Sequence, residues 1–374
     1  MRAFRHLAVP VLAVSVLASC ASQQQPGGSA PASAVAAAPG SSAALRTTTI
    51  LPEPIPATLV AQSPEEVTLR EMVMLQDRLY RVSAPLLVKN TDLCTGNARS
   101  LLGFIAKNKY SYSDELSQAA QALYGLDDRL RVTGVLAGSG AARAGMRAGD
   151  IIDAVDATPM PQGPNAERQA ATLLAPLVAG AGARNGIRLT VLRNGARLPI
   201  TVTLTRACAY SVELGNADHV NAYHDGRRVL LTRGMLNATR TDDELAYVLA
   251  REMAHNALQH ASKQAMTGTM GDIIDNLMRV KPDLSGMAGS AGVKASTREF
   301  DAAADTMALY MLARAGYDYN AAPQFWERLA SQVPASVLNG YTAIHPATAY
   351  RLEVMARVLP EVRNKQAHKM PLLP

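Results

Sequence analysis

The stretch "VLAREMAHNALQH", Val248 to His260, sets Arg251, Glu252 and His255 within little more than one helical turn. Residues i and i+4 of an α-helix lie about 40° apart, so Arg251 and His255 share a face and point at one spot. The preceding Thr241-Asp242-Asp243-Glu244 supplies an N-cap and acids for the first turn. Leu245, Val248, Leu249 and Glu252 then follow on one side. A helix of this kind buries polar groups along with its apolar stripe, and buried polar groups require partners.

Those partners are sought downstream. Thr297 to Ala315 reads as a second helix, closed by Gly316, with Asp301 and Asp305 again at i, i+4 spacing. "IHPATAYR" carries His345 just before a helix expected through 347–359. With histidine at 251 the first stretch would read HExxH, in which two histidines bind zinc and the glutamate serves as general base. Arginine cannot ligate, because guanidinium has no free lone pair below pH ~12. A guanidinium about 4 Å from Zn²⁺ would be repelled by roughly 8 kcal/mol at an effective dielectric of about 20. Zinc therefore requires Arg251 to swing away and another group to join His255 and Asp301, and His345 is available. His260 lies about 140° round the helix from His255, a poor position for a ligand. His219 and His224 read as ordinary surface or structural histidines, and His368 sits in a polar tail.

From 209 to 351 the chain resembles the HtpX-like family of gluzincin metallopeptidases, including its periplasmic, BepA-like branch. The resemblance rests on "VNAYHDGRRVLLTRGMLNATRTDDELAYVLAREMAH", "TREFDAAADTMALYMLARAGYD" and "IHPATAYR", in that order. It implies Glu252 as general base, His255 as second ligand and Asp301 in place of the glutamate that is normally third. It further implies Asp305 as the acceptor that orients the first ligand, and His345 as a cap on the metal or oxyanion. Arg251 stands where the first ligand belongs, and Asp301 is one methylene short.

The N-terminus reads as a targeting segment: Arg2 and Arg5, an apolar run from Leu7 to Leu17, then "LASC" ending at Cys20. This resembles a bacterial lipobox, implying cleavage before Cys20 and lipidation of that residue; an ordinary secretory cut is the alternative. By resemblance to Gram-negative sorting rules, Ala21 implies the outer membrane. Loss of residues 1–19 removes two arginines and lowers the formal charge from +6 to +4, since 6 − 2 = 4. No basic block or aromatic-basic interleaving appears, so nucleic acid is not an expected partner. Residues 21–45 are uncharged and rich in Ala, Ser, Gly, Pro and Gln, the composition of a tether. Ser63-Pro64-Glu65-Glu66 starts a helix with apolar residues at 69, 72, 75, 79, 82 and 86.

Residues 130–205 have a different texture. "LRVTGVLAGSGAARAGMRAGDIIDAVDATPM" resembles the heart of a bacterial PDZ domain, followed by a helix near 165–178 and a hairpin across Asn194-Gly195. The resemblance implies that an extended peptide adds to a sheet edge. Tyr124, Gly125 and Leu126 are the candidate carboxylate loop. Cys94 and Cys208 bracket this unit; with Cys20 lipidated they form an even pair in an oxidising compartment and read as a disulfide, two separate buried thiols being the alternative.

The expected architecture is an α+β multidomain chain: a mostly helical zincin-like metallopeptidase domain with a small sheet, plus an inserted PDZ β-sandwich or barrel-like domain. The boundaries run as signal peptide 1–19, linker 20–62, N-terminal helical segment 63–110, PDZ 111–206, metallopeptidase domain 207–362 and tail 363–374. Two functions are open. One is a lipid-anchored, periplasm-facing binding or quality-control protein with a degenerate metal site and no cofactor, taking extended or C-terminal peptides of envelope proteins. The other is an active zinc endopeptidase of periplasmic quality control with altered ligation.

Overall fold

The computed structural model describes residues 63–180, 186–279, 281–287, 292–333 and 340–374. The signal segment, Cys20 and the tether lie outside these residues. The first helix, Pro64–Lys89, begins where the sequence places it. Ser63 accepts from the Glu66 N–H while the Glu66 side chain accepts from the Ser63 N–H, a complete capping box. Its stripe packs inward, with Leu69, Leu79, Val82 and Leu86 fully buried.

Residues 98–107 correct the expected boundary. The N-terminal segment was to stay helical to 110, but Ala98–Leu101 and Phe104–Lys107 are strands. Phe104 and Ile105 are buried and Ala106 and Lys107 half-buried, so this strand has no in-and-out alternation for a sequence pattern to reveal. Ala98–Leu101 pairs antiparallel with Thr205–Cys208, and Ala98 lies opposite Cys208. At the foot of this ribbon Cys94 and Cys208 form a disulfide, their Cα atoms 5.8 Å apart. It closes a loop of 114 positions, which the chain-entropy model values at ~4–5 kcal/mol.

Within that loop sits a sheet in the order Phe104–Lys107, Arg131–Val135, Ile151–Val155, Ile187–Arg193, Ala196–Val202, with Thr158–Pro159 paired beside Ile151–Val155. Asn194 and Gly195 both take positive φ and turn the last hairpin, where Arg193 faces Ala196. A helix, Ala166–Gly180, covers the sheet. Gly140 is required by close approach: a Cβ there would lie 1.6 Å from the Thr203 carbonyl oxygen. Phe104, Val132, Ile152, Leu189, Val191 and Val202 make this unit's own apolar core, separate from that of the helical domain.

The helical domain opens with three strands. Ala222–His224 pairs antiparallel with Arg228–Thr232, which runs parallel to Ser211–Gly215. Asn256 ties this sheet to the helix below, accepting from the Gly226 N–H at 2.6 Å and donating to the Arg228 carbonyl at 2.9 Å. The motif helix, Asp242–Ala257, is capped by Thr241 and buried along nearly its whole length. It packs against the second helix, Arg298–Ala315, which is capped by Thr297 and closed by left-handed Gly316. Beyond the motif helix, His260–Lys263 makes a single helical turn and Thr267–Leu277 a longer helix. The last helix runs Thr348–Ala367, so the first part of the expected tail 363–374 is helical. Among the described residues, no helix is long and apolar enough to cross a membrane.

Candidate functional site: a buried arginine among five ionisable groups

Arg251 is completely buried. A guanidinium carries five N–H donors, and the structure gives Arg251 five partners. Nε meets Asp305 Oδ1 at 3.1 Å. Nη1 meets Glu252 Oε1 at 3.2 Å and the Tyr341 hydroxyl at 2.7 Å. Nη2 meets Asp301 Oδ1 at 2.6 Å and His345 Nδ1 at 2.9 Å. The i, i+4 pair on the second helix thus faces the arginine as the spacing implied. Burial opposes the charge, but Tyr341, Asp301, Asp305 and Glu252 outweigh it and hold the guanidinium ionised.

Asp305 is the most heavily used carboxylate. Besides Arg251 it takes Arg351 on both oxygens, Nε at 2.5 Å and Nη2 at 2.8 Å, and the Tyr247 hydroxyl at 2.7 Å. Arg351 Nη1 has no hydrogen-bond partner, but the guanidinium lies 3.4 Å from the Trp326 ring centre, a cation–π contact. Glu252 is equally tied. His224 Nδ1 lies 2.6 Å from Oε2, and the Tyr341 hydroxyl and Arg251 both donate to Oε1. Burial pushes its carboxyl up, yet the His224 hydrogen bond and the neighbouring Arg251 guanidinium pull it down to about 2.

His255 and His345 complete the cluster. The His255 ring stacks on His224, with centres 4.5 Å apart, and its Nδ1 meets His260 Nδ1 at 2.9 Å. His260 therefore steadies a site residue, which its place on the helix did not suggest; a left-handed Gln259 turns the chain and brings it back. His345 is set beside the second helix by the Ser296 N–H, which donates to the Ile344 carbonyl at 2.8 Å. Its Nδ1 is 2.7 Å from Asp301 Oδ1. Burial pushes both imidazoles down, followed by His224 and Arg251 at His255 and by Arg251 at His345, His255 furthest, so both are neutral at neutral pH.

Sequence reasoning missed His224, Tyr247, Tyr341 and Arg351. His224 ends a strand whose DG turn was visible, and Arg351 stands in the quoted His-Pro stretch, so each had a signal. Tyr341 had none. The candidate carboxylate loop is not supported by its surroundings. Tyr124 ends the helix Asp114–Tyr124, the Gly125 N–H caps that helix at Ala120 and Gln121, and Leu126 is buried against Leu69 and Leu116. A carboxylate would need those N–H groups free. Two strands end the sheet, Phe104–Lys107 and Ala196–Val202, and among the described residues each pairs on one side only, with Arg131–Val135 and Ile187–Arg193 respectively.

Residues 200–358 match the model of peptidase family M48. This chain carries an M48 peptidase domain. Over 148 residues it is 30% identical to the mitochondrial metalloendopeptidase OMA1 of Schizosaccharomyces pombe, covering 38% of this chain and 44% of that protein. Over 163 residues it is 26% identical to the beta-barrel assembly-enhancing protease of Yersinia pestis, covering 39% and 32%. The OMA1 of Arabidopsis thaliana is 28% identical over 154 residues, covering 40% and 31%. The match thus spans less than half the length of each of these relatives. A solved HtrA-type protease, AlgW with decapeptide, shares 27% identity over 29% of this chain and 30% of that one, at a TM-score of 0.20, too slight an overlap to argue from. The M48 domain and its metalloendopeptidase relatives set the general kind of enzyme to which this domain is related.

The donors for the metal of such enzymes are present in part. His255, Asp301 and His345 each offer one ligand atom, and these lie within 4.8 Å of one another. Three buried side-chain atoms here have no hydrogen-bond partner: His255 Nε2, Asp301 Oδ2 and His345 Nε2. Two imidazoles and a carboxylate fit a divalent transition metal. Arg251 does not.

Proposed function

We propose that this chain is a lipid-anchored, periplasm-facing protein that binds extended peptides through its inserted PDZ-like unit, and whose M48 domain no longer hydrolyses peptide bonds by the HExxH route. One observation carries the second half: Arg251 takes the first ligand's place, donating to Asp305, Glu252, Tyr341 and Asp301, and one of those bonds helps lock Glu252. A general base works best with a pKa near the operating pH. Glu252, held at about 2 and bonded on both oxygens, is poorly placed to accept a proton at pH 7. The peptide-binding half is supported by Phe104–Lys107, one of the sheet's two edge strands, where an extended chain can add. Peptides of envelope proteins are the proposed partners and the outer membrane the proposed anchor.

The alternative is an active zinc endopeptidase with altered ligation, and the unpartnered donors of His255, Asp301 and His345 favour it. A divalent ion held there would act as a Lewis acid on a carbonyl oxygen. Casein hydrolysis with and without chelator separates the readings. The purified chain is expected to leave casein intact in either condition, even with added zinc. The double variant Arg251→His, Asp301→Glu, which restores the first ligand and the missing methylene, is expected to gain chelator-sensitive cleavage. Chelator-sensitive cleavage by the unaltered chain would sink the non-hydrolytic reading.

A further inference from the structure

We propose that the cavity between the first helix and the strands Phe104–Lys107 and Arg131–Val135 binds a small organic monocarboxylate, clasped by Lys107 and Arg131. The site lies outside the cluster around Arg251 and does not depend on whether the chain cleaves peptides or adds them to a sheet edge.

Strand register brings the two cations together. Lys107 lies directly opposite Arg131 in the antiparallel pair, and side chains opposed in this way share one face of the sheet. Like charges so placed are destabilising, and among the described residues neither has an ion-pair partner. The Lys107 ammonium donates to the Gln76 amide oxygen at 3.2 Å and lies 5.1 Å from the centre of the Tyr112 ring. Arg131 gives Nη1 to the Gly149 carbonyl at 2.9 Å, while its buried Nε has no hydrogen-bond partner. Among the described residues, nothing takes the Nε–Nη2 edge of this guanidinium. Two parallel N–H groups on one edge are the geometry that a carboxylate meets with both oxygens.

Size and charge narrow the class. Both side chains line a cavity of about 210 Å³, walled in part by Tyr80, Tyr112 and Tyr124, whose rings suit an organic tail. That is below the roughly 300–1,000 Å³ of a pocket for a drug-sized ligand, so the acid is small. Asp77 is the carboxylate in this lining, which sets two cations against one anion, a sum of 2 − 1 = +1. Glu167 and Glu213 line the adjoining cavity, which shares Lys107, and counting them gives 2 − 3 = −1. The site therefore has no broad positive field. A dianion such as phosphate is disfavoured, and a monoanion is held by donors at short range. Burial pulls the Lys107 ammonium below its usual range, opposed by Glu167, Glu213 and Asp77, and a carboxylate bound beside it favours the charged form.

The test is a calorimetric titration of the full-length chain at neutral pH with benzoate and hexanoate, with benzamide and inorganic phosphate as the neutral and dianionic controls. One acid per chain is expected, and both controls should bind at least ~10-fold more weakly. Arg131→Gln and Lys107→Gln should each weaken benzoate ~10-fold or more, the loss expected of a hydrogen bond to a charged group. Neither should lower the melting temperature of the unliganded chain, because each relieves the opposed pair of cations. Asp77→Asn, which removes a like charge from the lining, should tighten benzoate. Displacement of benzoate by trialanine but not by its C-terminal amide marks the ligand as a peptide end; displacement by neither marks it as a free acid, and either upholds the site. No binding of either acid, phosphate binding as tightly as benzoate, or unchanged benzoate binding in both Arg131→Gln and Lys107→Gln overturns the proposal.

Discussion

Asp305 and Asp301 lie one turn apart on the same helix, both fully buried and both touching Arg251, yet their surroundings differ. Around Asp305 two arginines and a tyrosine hydroxyl use both oxygens. Around Asp301 one oxygen is shared by Arg251 and His345, and the other has no partner. The first end holds the helices together. The second is where chemistry or a ligand remains possible. Arg251 joins the two, so what it stabilises at one end it restricts at the other.

The same substitution at both positions tests this difference most directly, and Asp305→Asn should have the largest effect. Its two oxygens accept only from donors, so either orientation of the amide sets an NH₂ against an arginine N–H. Two buried guanidinium groups also lose their charge partner. Breaking a buried pair in this way costs about 3–5 kcal/mol, and urea unfolding at pH 7 should show a loss in that range.

Arg251→Ala should cost somewhat less, about 3 kcal/mol, at the lower end of that range. Asp305 keeps Arg351 and Tyr247, so the uncompensated charges are chiefly Asp301 and Glu252. A cost equal to or above that of Asp305→Asn would mean that Arg251, not Asp305, is the keystone of the cluster.

Glu252→Gln follows, with a pH signature. The folded carboxyl sits near 2 against an ordinary value of 4.5. The folded pKa is depressed, so its contribution is fully present above pH 4.5 and is lost as pH falls through about 2. A carboxyl moved from 4.5 to about 2 contributes roughly 3 kcal/mol. The stability gap between parent and variant should hold constant from pH 7 to about 5 and close steadily below it. A gap independent of pH across that window would mean that Glu252 is not ionised in the folded protein.

How much of this was legible in sequence depends on whether the information was local. The paired i, i+4 spacings at Arg251/His255 and Asp301/Asp305 depend only on helical geometry, and the caps at Ser63, Thr241 and Thr297 fixed where those helices start. The NG hairpin at 194–195 is likewise a two-residue signal. What was missed lies across long separations. Tyr341 reaches Arg251 over 90 positions and Arg351 reaches Asp305 over 46, and no periodicity encodes such contacts. His224 shows a different failure: a histidine ending a strand is commonplace, and only the packing of that strand on the motif helix makes it Glu252's partner. The boundary error at 98–107 arose because two four-residue strands are shorter than any pattern that distinguishes strand from loop.

Asp301→Asn should have the smallest effect on stability, within about 1 kcal/mol, and its smallness is informative. The amide oxygen can keep the hydrogen bonds from Arg251 Nη2 and His345 Nδ1–H. Its NH₂ then takes the place of the unpartnered Oδ2, among the unpartnered Nε2 atoms of His255 and His345, where a donor is welcome. Arg251 loses one of three carboxylates but keeps Glu252 and Asp305. Loss of the Asp301 charge is thus offset by new hydrogen bonding at a site that had none. Urea unfolding of the chelator-stripped chain should therefore place this variant close to the parent, while Asp305→Asn lies several kcal/mol below. If both substitutions cost the same, the two ends of the cluster are equivalent in energy, and Asp301 is as much a structural anchor as Asp305.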